Sequence, residues 1–283
     1  MRILSLLPDL TAQVEQWRAE GQRIALVPTM GYFHEGHLAL MRHARALARR
    51  VVVSRFVNPT QFGPTEDLAA YPRDDERDIA LAEAEGVDAL FQPVPDAMYA
   101  PDHATWVEVP ALSSVLCGVS RPIHFRGVCT VVLKLFHLAH PHVAVFGEKD
   151  WQQLAIIRRM ARDLNVDVEI VGHPIVREPD GLAMSSRNAY LSAEERAQAP
   201  GIYRGLQKLA EQVRQGERNA ATLLAGLEHH LRSAVPLGEP DYLSIVHPDT
   251  LQNLTTLDDA ALVAVAVRLG RARLIDNLRL LPL

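Results

Sequence analysis

The chain has 283 residues, 48 % of them hydrophobic, and a formal net charge of −5. That length and apolar content support one large core or two modest ones, and the acidic balance argues against a general nucleic-acid binder, whose surface is ordinarily basic. Its two cysteines, Cys117 and Cys129, lack metal-ligand spacing, so neither a disulfide scaffold nor a zinc site is indicated.

The opening MRILSLLPDL has one basic residue and a short apolar run broken by Pro8, too short for a secretion signal. No window approaches eighteen uninterrupted apolar residues, so no membrane span is expected and the chain reads as cytoplasmic. Residues 24–27 (IALV) form a strand signal, 37–50 a helix, and 51–57 (VVVSRFV) a second strand. A helix over 74–85 closed by Gly86 and a strand over 88–92 follow. Then come a helix over 130–140, a strand over 143–146, a helix over 151–164 and a strand over 166–171. Strands separated by helices of this length predict βαβ units and a parallel sheet. The fold class is therefore α/β, with a Rossmann-like N-terminal domain whose ligands collect at the carboxyl ends of the strands. The pattern changes near Val176: the polar turn REPDG leads to a charged amphipathic helix over 193–215, a helix over 222–231, and β-like runs at 242–246, 262–268 and 273–278. Residues 1–176 and 177–283 are thus expected to form a nucleotide-binding domain and a smaller α+β lid, hinged over a shared cleft.

The motifs that could carry chemistry follow strands. In VPTMGYFHEGHLAL, His34 and His37 sit at a strand-to-helix turn, with a helical pattern beginning at Leu38. Free N–H groups and the helix dipole there favour an anion, and Gly36 would let a bulky ligand approach the main chain. The pair lacks HExxH spacing and a third ligand, which argues against zinc. In FVNPTQFG, Asn58 and Gln61 are neutral amides able to bond hydroxyls or a carboxylate; an Asn-Pro turn with a solvated Gln fits equally. FGEKDWQQL offers Lys149 for phosphate charge and Asp150 as helix cap or magnesium ligand, with Gln153 one turn on, facing the same cleft; an exposed turn is the alternative. In AMSSRN, Ser185, Ser186 and Arg187 make an oxyanion-binding segment. The capping box of Ser192 and Glu195 lies downstream and leaves these three without a structural duty. Arg121, His124 and Arg126 form a basic cluster ahead of an apolar helix, fitting a carboxylate or a solvated turn. Tyr71-Pro72-Arg73-Asp74 reads as the start of a helix.

An HxGH-like loop followed by a serine-rich loop after a methionine resembles the HIGH and KMSKS signatures of class I nucleotidylyl transferases, although no lysine precedes Met184 and Ser186-Arg187 stands where Ser-Lys is usual. The four segments PTMGYFHEGH, FVNPTQF, FGEKDWQQL and REPDGLAMSSRNAYLS, with the C-terminal LVAVAVRLGRARLIDNLRL, resemble the pantothenate synthetase (pantoate–β-alanine ligase) family over nearly the whole chain. That resemblance implies ATP-dependent ligation of pantoate and β-alanine through a pantoyl adenylate, with Mg²⁺ and a homodimer formed by the N-terminal domain. It implies an ATP site of Met30, Gly31, Tyr32, Phe33, His34, Glu35, Gly36 and His37, with Gly147, Glu148, Lys149, Asp150, Val176, Met184, Ser185, Ser186 and Arg187. His37 would be the proton donor, His34 would assist at the phosphates, and Lys149, Ser185, Ser186 and Arg187 would also act there. Gln61 and Gln153 would hold pantoate and β-alanine, and Asp150 is the candidate metal ligand. The competing readings are another transferase of that superfamily, which keeps the nucleotide in its product, and a non-catalytic nucleotide sensor. A tRNA-charging enzyme fits poorly a short acidic chain without an anticodon-binding extension.

Overall fold

The computed structural model describes residues 1–64 and 66–281. Short apolar runs become six strands: β1 Arg2–Leu4, β2 Ile24–Thr29, β3 Arg50–Arg55, β4 Ala89–Phe91, β5 Val143–Gly147 and β6 Glu169–His173. They pair in the order β1-β4-β3-β2-β5-β6, every pair parallel. The alternation of the strand pleat divides the sheet residues between two cores. Ile24, Leu26, Val52, Ala144 and Phe146 join one cluster, while Ala25, Val27, Val51, Val53, Val143 and Val145 join the other. Both faces are covered, as an all-parallel sheet requires. Helices α1 Leu7–Ala19, α7 His124–Ala139 and α8 Trp151–Asp163 pack on the first face, and α2 Glu35–Leu47 on the second, beside α3 Asp75–Ala84. Four-residue helices α4 Pro95–Met98, α5 Pro110–Ser113 and α6 Cys117–Ser120 fill the connection before α7.

The chain leaves β2 for β3 on one side and later returns to β5 on the other. The carboxyl ends of β2 and β5 are therefore the topological switch point, where connecting loops diverge and leave a crevice. The loops carrying the paired histidines and Lys149 start there.

The remaining chain forms α9 Ala193–Gln198, α10 Gly201–Arg214 and α11 Ala220–Ala234 against an antiparallel meander of β7 Gly238–Val246, β8 Ala261–Leu269 and β9 Ala272–Leu281. This part has its own core, built on Leu206, Leu223, Leu227, Val263 and Val265. It docks on the parallel sheet through specific bonds: Trp151 Nε1–H donates to Pro248 O at 2.8 Å, and Asn277 Nδ2 donates to Glu148 O at 2.8 Å and Lys149 O at 3.0 Å. The α/β class expected from the sequence is the observed one.

Several elements differ from expectation. The single helix over 193–215 is two, because Pro200 has no N–H to continue the first and instead stands just before α10. α7 begins at His124 rather than 130, which moves His124 and Arg126 from a turn onto a helix. The last parallel strand lies at 169–173, since Asn165 adopts a left-handed φ of 52° and the chain is still turning through Val166. At the N-terminus, Pro8 does not break structure. It occupies the first turn of α1, where its missing N–H is harmless.

Candidate active site

The crevice at the switch point is an open cavity of about 1400 Å³ including its mouth. On one side stands the turn that joins β2 to α2. Tyr32 takes a left-handed φ of 54°, after Gly31 at 85°. The turn is held from behind by Asp78 of α3: its Oδ2 accepts Tyr32 N–H and its Oδ1 accepts Phe33 N–H, each at 2.7 Å, with Arg55 at 3.8 Å. Asp78 is 1 % exposed, and burial raises its pKa against the lowering effect of those bonds. Two of the N–H groups that could have met a phosphate are thus already satisfied by the protein.

His34 is the N-cap of α2. Its Nδ1 accepts Gly36 N–H at 3.1 Å, and His37 Nδ1 accepts His34 N–H at 3.4 Å. A ring nitrogen that accepts carries no proton, so each neutral imidazole keeps its hydrogen on Nε2. Burial, then Lys149, lowers His34 to about 4; burial, then His34 and Lys149, holds His37 well below its usual value. The rings lie 4.1 Å apart. The two side chains are therefore neutral N–H donors at neutral pH. Gly36 has a different reason from the one expected: a Cβ there would meet the His34 imidazole at 2.8 Å, so glycine is needed for the cap as much as for a ligand.

Across the crevice, β5 ends at Gly147 and a 3₁₀ turn, Glu148–Asp150, leads into α8. Asn277 clamps the carbonyls of that turn from β9, leaving the side chains of Lys149, Asp150 and Gln153 on the cavity wall. Asp150 makes no cap bond to α8 and lies 3.8 Å from Lys149 Nζ.

The floor comes from the turn after β3. Asn58 Nδ2 donates to Gln61 Oε1 and to Gly127 O, each at 3.1 Å, while its Oδ1 accepts Tyr99 O–H and Thr60 O–H. Asn58 is saturated and serves to orient Gln61, whose Nε2 donates one hydrogen to Met30 Sδ at 3.1 Å and keeps the other for a ligand. A Cβ on Gly127 would lie 2.5 Å from Thr60 O, so α7 can approach this turn only through a glycine. His124 is buried, and burial with the nearby Arg121 lowers its pKa to about 3. Its Nδ1–H meets Gln61 O at 3.0 Å, which leaves Nε2 as an acceptor. The sequence placed His124 in a basic cluster that fitted a carboxylate or a solvated turn equally. The structure separates that cluster: His124 and Arg121 line the cavity, Arg121 is paired with Glu66, and Arg126 lies over Trp106 outside it.

Met184, Ser185, Ser186 and Arg187 close the cavity from the C-terminal side, beside Val176, whose carbonyl accepts Met184 N–H. These residues do have structural duties. Ser185 caps the 3₁₀ turn Ser186–Tyr190 by accepting Arg187 N–H, Ser186 Oγ reaches Tyr32 O at 3.4 Å, and Arg187 pairs with Asp67 at 3.1 Å.

Of the residues expected to bind ATP or substrate, Met30, His34, Gly36, His37, Gly147, Lys149, Asp150, Val176, Met184, Ser185, Ser186, Arg187, Gln61 and Gln153 line this one cavity. Gly31, Tyr32, Phe33, Glu35 and Glu148 do not. Gly31 and Tyr32 shape the turn, Phe33 is fully buried in the core under α2, and Glu35 pairs with Arg42 at the surface. Glu148 contributes its carbonyl to Asn277. Sequence reasoning missed Asp78, Asn277 and Tyr71, which also lines the cavity. Only Tyr71 had a local signal, as part of the YPRD segment.

The family model for pantoate–β-alanine ligase matches residues 2–279. The chain belongs to the pantoate–β-alanine ligase family. It is 64 % identical over 280 residues to a pantothenate synthetase of Nitratidesulfovibrio vulgaris (strain DSM 19637 / Miyazaki F), covering 99 % of each chain. The crystal structure of a pantothenate synthetase from Thermus thermophilus superposes with a TM-score of 0.95 at 50 % identity and full coverage of both chains. A pantoate–β-alanine ligase from Francisella tularensis, solved in complex with β-γ ATP and β-alanine, superposes with a TM-score of 0.80 at 30 % identity, over 99 % of this chain and 97 % of that one. As a member of the pantoate–β-alanine ligase family the protein is an enzyme, a ligase.

Proposed function

We propose that this ligase joins (R)-pantoate to β-alanine using ATP, through a pantoyl adenylate, with AMP and pyrophosphate released. The observation that carries the reading is the convergence of four groups on one cavity: two neutral imidazole donors, Lys149, the Ser-Ser-Arg segment, and two primary amides. A relative solved with β-γ ATP and β-alanine supports ATP and β-alanine as ligands here.

The difficulty of the first step is electrostatic. A carboxylate must approach a triphosphate, so the site has to offset like charge and align the two. Lys149 and Arg187 supply positive charge, the Ser185 hydroxyl keeps its hydrogen for a phosphate, and Ser186 can donate there by turning from its long contact with Tyr32 O. His34 and His37 donate from Nε2 to oxygens of the α-phosphate, where negative charge grows during attack. The proton-donor role implied for His37 would be exercised from this Nε2–H, on a ring that burial, His34 and Lys149 hold neutral. Gln61 and Gln153 orient pantoate, with His124 Nε2 able to accept from a hydroxyl. The apolar wall of α7, Val128, Val131, Val132 and Leu135, suits the two methyl groups of pantoate. The attacking carboxylate oxygen bonds to the α-phosphorus as the bond to pyrophosphate breaks. The free amine of β-alanine then attacks the acyl carbon, AMP leaves with that oxygen, and the amine loses a proton.

Asp150 has a carboxylate in the cavity with no capping duty, which suits Mg²⁺ held by one carboxylate, phosphate oxygens and water. When bound, the ion would neutralise phosphate charge. Among the described residues no cluster of three His, Cys, Asp or Glu could hold a metal by protein ligands alone, so such an ion arrives with ATP. We take residues 177–283 as a lid over the 1–176 domain, excluding water from the labile adenylate. We also propose that the enzyme works in the cytoplasm as a homodimer. No helix of the described residues is long and apolar enough to cross a membrane. The test is pyrophosphate release from ATP and Mg²⁺. It should need pantoate and proceed for one turnover without β-alanine, then become catalytic with β-alanine present. Turnover with neither acid nor amine, or a nucleotide retained in the product, would refute the ligation.

A further inference from the structure

A second cavity adjoins the ATP cleft and shares Arg121, His124, Asp150, Gln153, Lys149, Ser185 and Arg187 with it. Its far walls are α6 and the antiparallel meander, with Cys117, Ser120, Tyr242 and Arg273 among the lining. Arg271 stands at its outer lip, on the Gly270–Arg271 turn between β8 and β9. The wall carries more cations than carboxylates. Arg121, Lys149, Arg187, Arg268, Arg271 and Arg273 face four carboxylates, those of Glu66, Asp67, Asp150 and Asp276. Behind the wall, Asp241 pairs with Arg268 and Arg273, while Arg177 neutralises Asp276 at 2.6 Å. Within the lining itself cations exceed carboxylates by two; just outside it, Glu195 lies against Gly270 and Glu239 pairs in register with Arg268.

We infer that this vestibule is the port through which pyrophosphate leaves the site, with Arg273 as the inner contact and the exposed Arg268 and Arg271 towards the exit. Three features select that occupant. The residues shared by vestibule and cleft include Lys149, Ser185 and Arg187, the groups assigned to the phosphates, beside His124 and Gln153 of the pantoate end, so the leaving anion is freed at its threshold. A positively biased channel attracts a multiply charged anion, whereas zwitterionic β-alanine gains little from net potential. Leu40, Ile175 and Val176 make part of the cleft wall apolar, which fits a base rather than an anion. A separate exit lets pyrophosphate depart without passing the adenylate, which stays covered.

This inference rests on the ligation proposed above, and its test separates the two. AMP formation is followed against ATP at rising inorganic pyrophosphate in the wild type, the double variant Arg268→Ala/Arg271→Ala, and Arg271→Lys. Each exposed charge removed should weaken pyrophosphate inhibition about threefold, so about tenfold for the double variant. Arg271→Lys should stay within twofold of wild type, and the KM for ATP should not follow the inhibition constant. An unchanged inhibition constant in the double variant overturns the port. So does an equal rise in the KM for ATP, which marks a general loss of anion attraction, or a rise confined to the KM for β-alanine, which gives the vestibule to the amino acid. A wild-type enzyme that releases no pyrophosphate refutes the ligation instead.

Discussion

Replacing Asp78 with asparagine isolates the carboxylate that holds the histidine turn. Its two oxygens accept the N–H groups of Tyr32 and Phe33, each at 2.7 Å. Asparagine offers one oxygen, so one of those N–H groups would face an amide NH₂ and lose its acceptor. A hydrogen bond to a charged acceptor contributes about 1.5–3 kcal/mol, and a buried donor left unpaired costs about 1–3 kcal/mol. Part of this is regained, because burial already disfavours the charged form of Asp78. The left-handed Tyr32 adds about 1–2 kcal/mol of strain that the bonds must hold down. A net loss of about 2–3 kcal/mol in fixing the turn follows, or about 30–150-fold at 1.4 kcal/mol per decade. It should fall mainly on kcat of pantoate-dependent pyrophosphate release, since the imidazole donors move while Lys149 and the glutamines stay. The urea midpoint, measured alongside, should drop by no more than the same free energy. A variant within twofold of wild type in kcat/KM, with an unchanged midpoint, would show that Asp78 does not hold the turn.

Gln61→Ala should raise the KM or Kd for pantoate tenfold or more and leave ATP binding within about twofold, as read by calorimetry; equal weakening of both would remove Gln61 from the pantoate site. His34 should titrate near 4 rather than 6.5 by NMR, and Lys149→Ala should raise that value only in part, because burial is the larger cause. The same depression makes a stability statement. The unfolded chain takes up protons below about 6.5 while the folded His34 and His124 stay neutral. Each therefore lowers stability as pH falls from 6.5 toward about 4 and about 3, by up to about 1.4 kcal/mol per pH unit. The raised Asp78 and Asp276 carboxyls act in the opposite sense, so His34→Gln should be compared with wild type. A slope unaltered by that change would contradict a buried neutral imidazole.

What could be read from the sequence was what local grammar encodes. Strand, tight turn and helix announce the 28–37 and 147–153 segments, and apolar runs with intervening helices announce a parallel sheet. Chemistry that depends on distant contacts left no such mark. Asp78 reaches residues more than forty positions upstream, and Asn277 clamps carbonyls more than 120 positions away. Both look like ordinary polar residues of a helix and a strand. His124 was undervalued because α7 starts six residues earlier than its apolar stretch suggests. Arg187 seemed free of structural work because its partner Asp67 lies in another loop. Pro200 should have split the 193–215 helix on sequence alone, since an interior proline has no N–H to donate.

The central claim is that pantoate's own carboxylate attacks the α-phosphorus. Pantoate labelled with ¹⁸O in both carboxylate oxygens, incubated with ATP, Mg²⁺ and β-alanine, tests it by mass spectrometry of the products. One labelled oxygen should appear in the AMP phosphate and one should remain in the amide carbonyl. Label absent from AMP, or found in phosphate or pyrophosphate, would contradict attack at the α-phosphorus and with it the role given to the whole cavity.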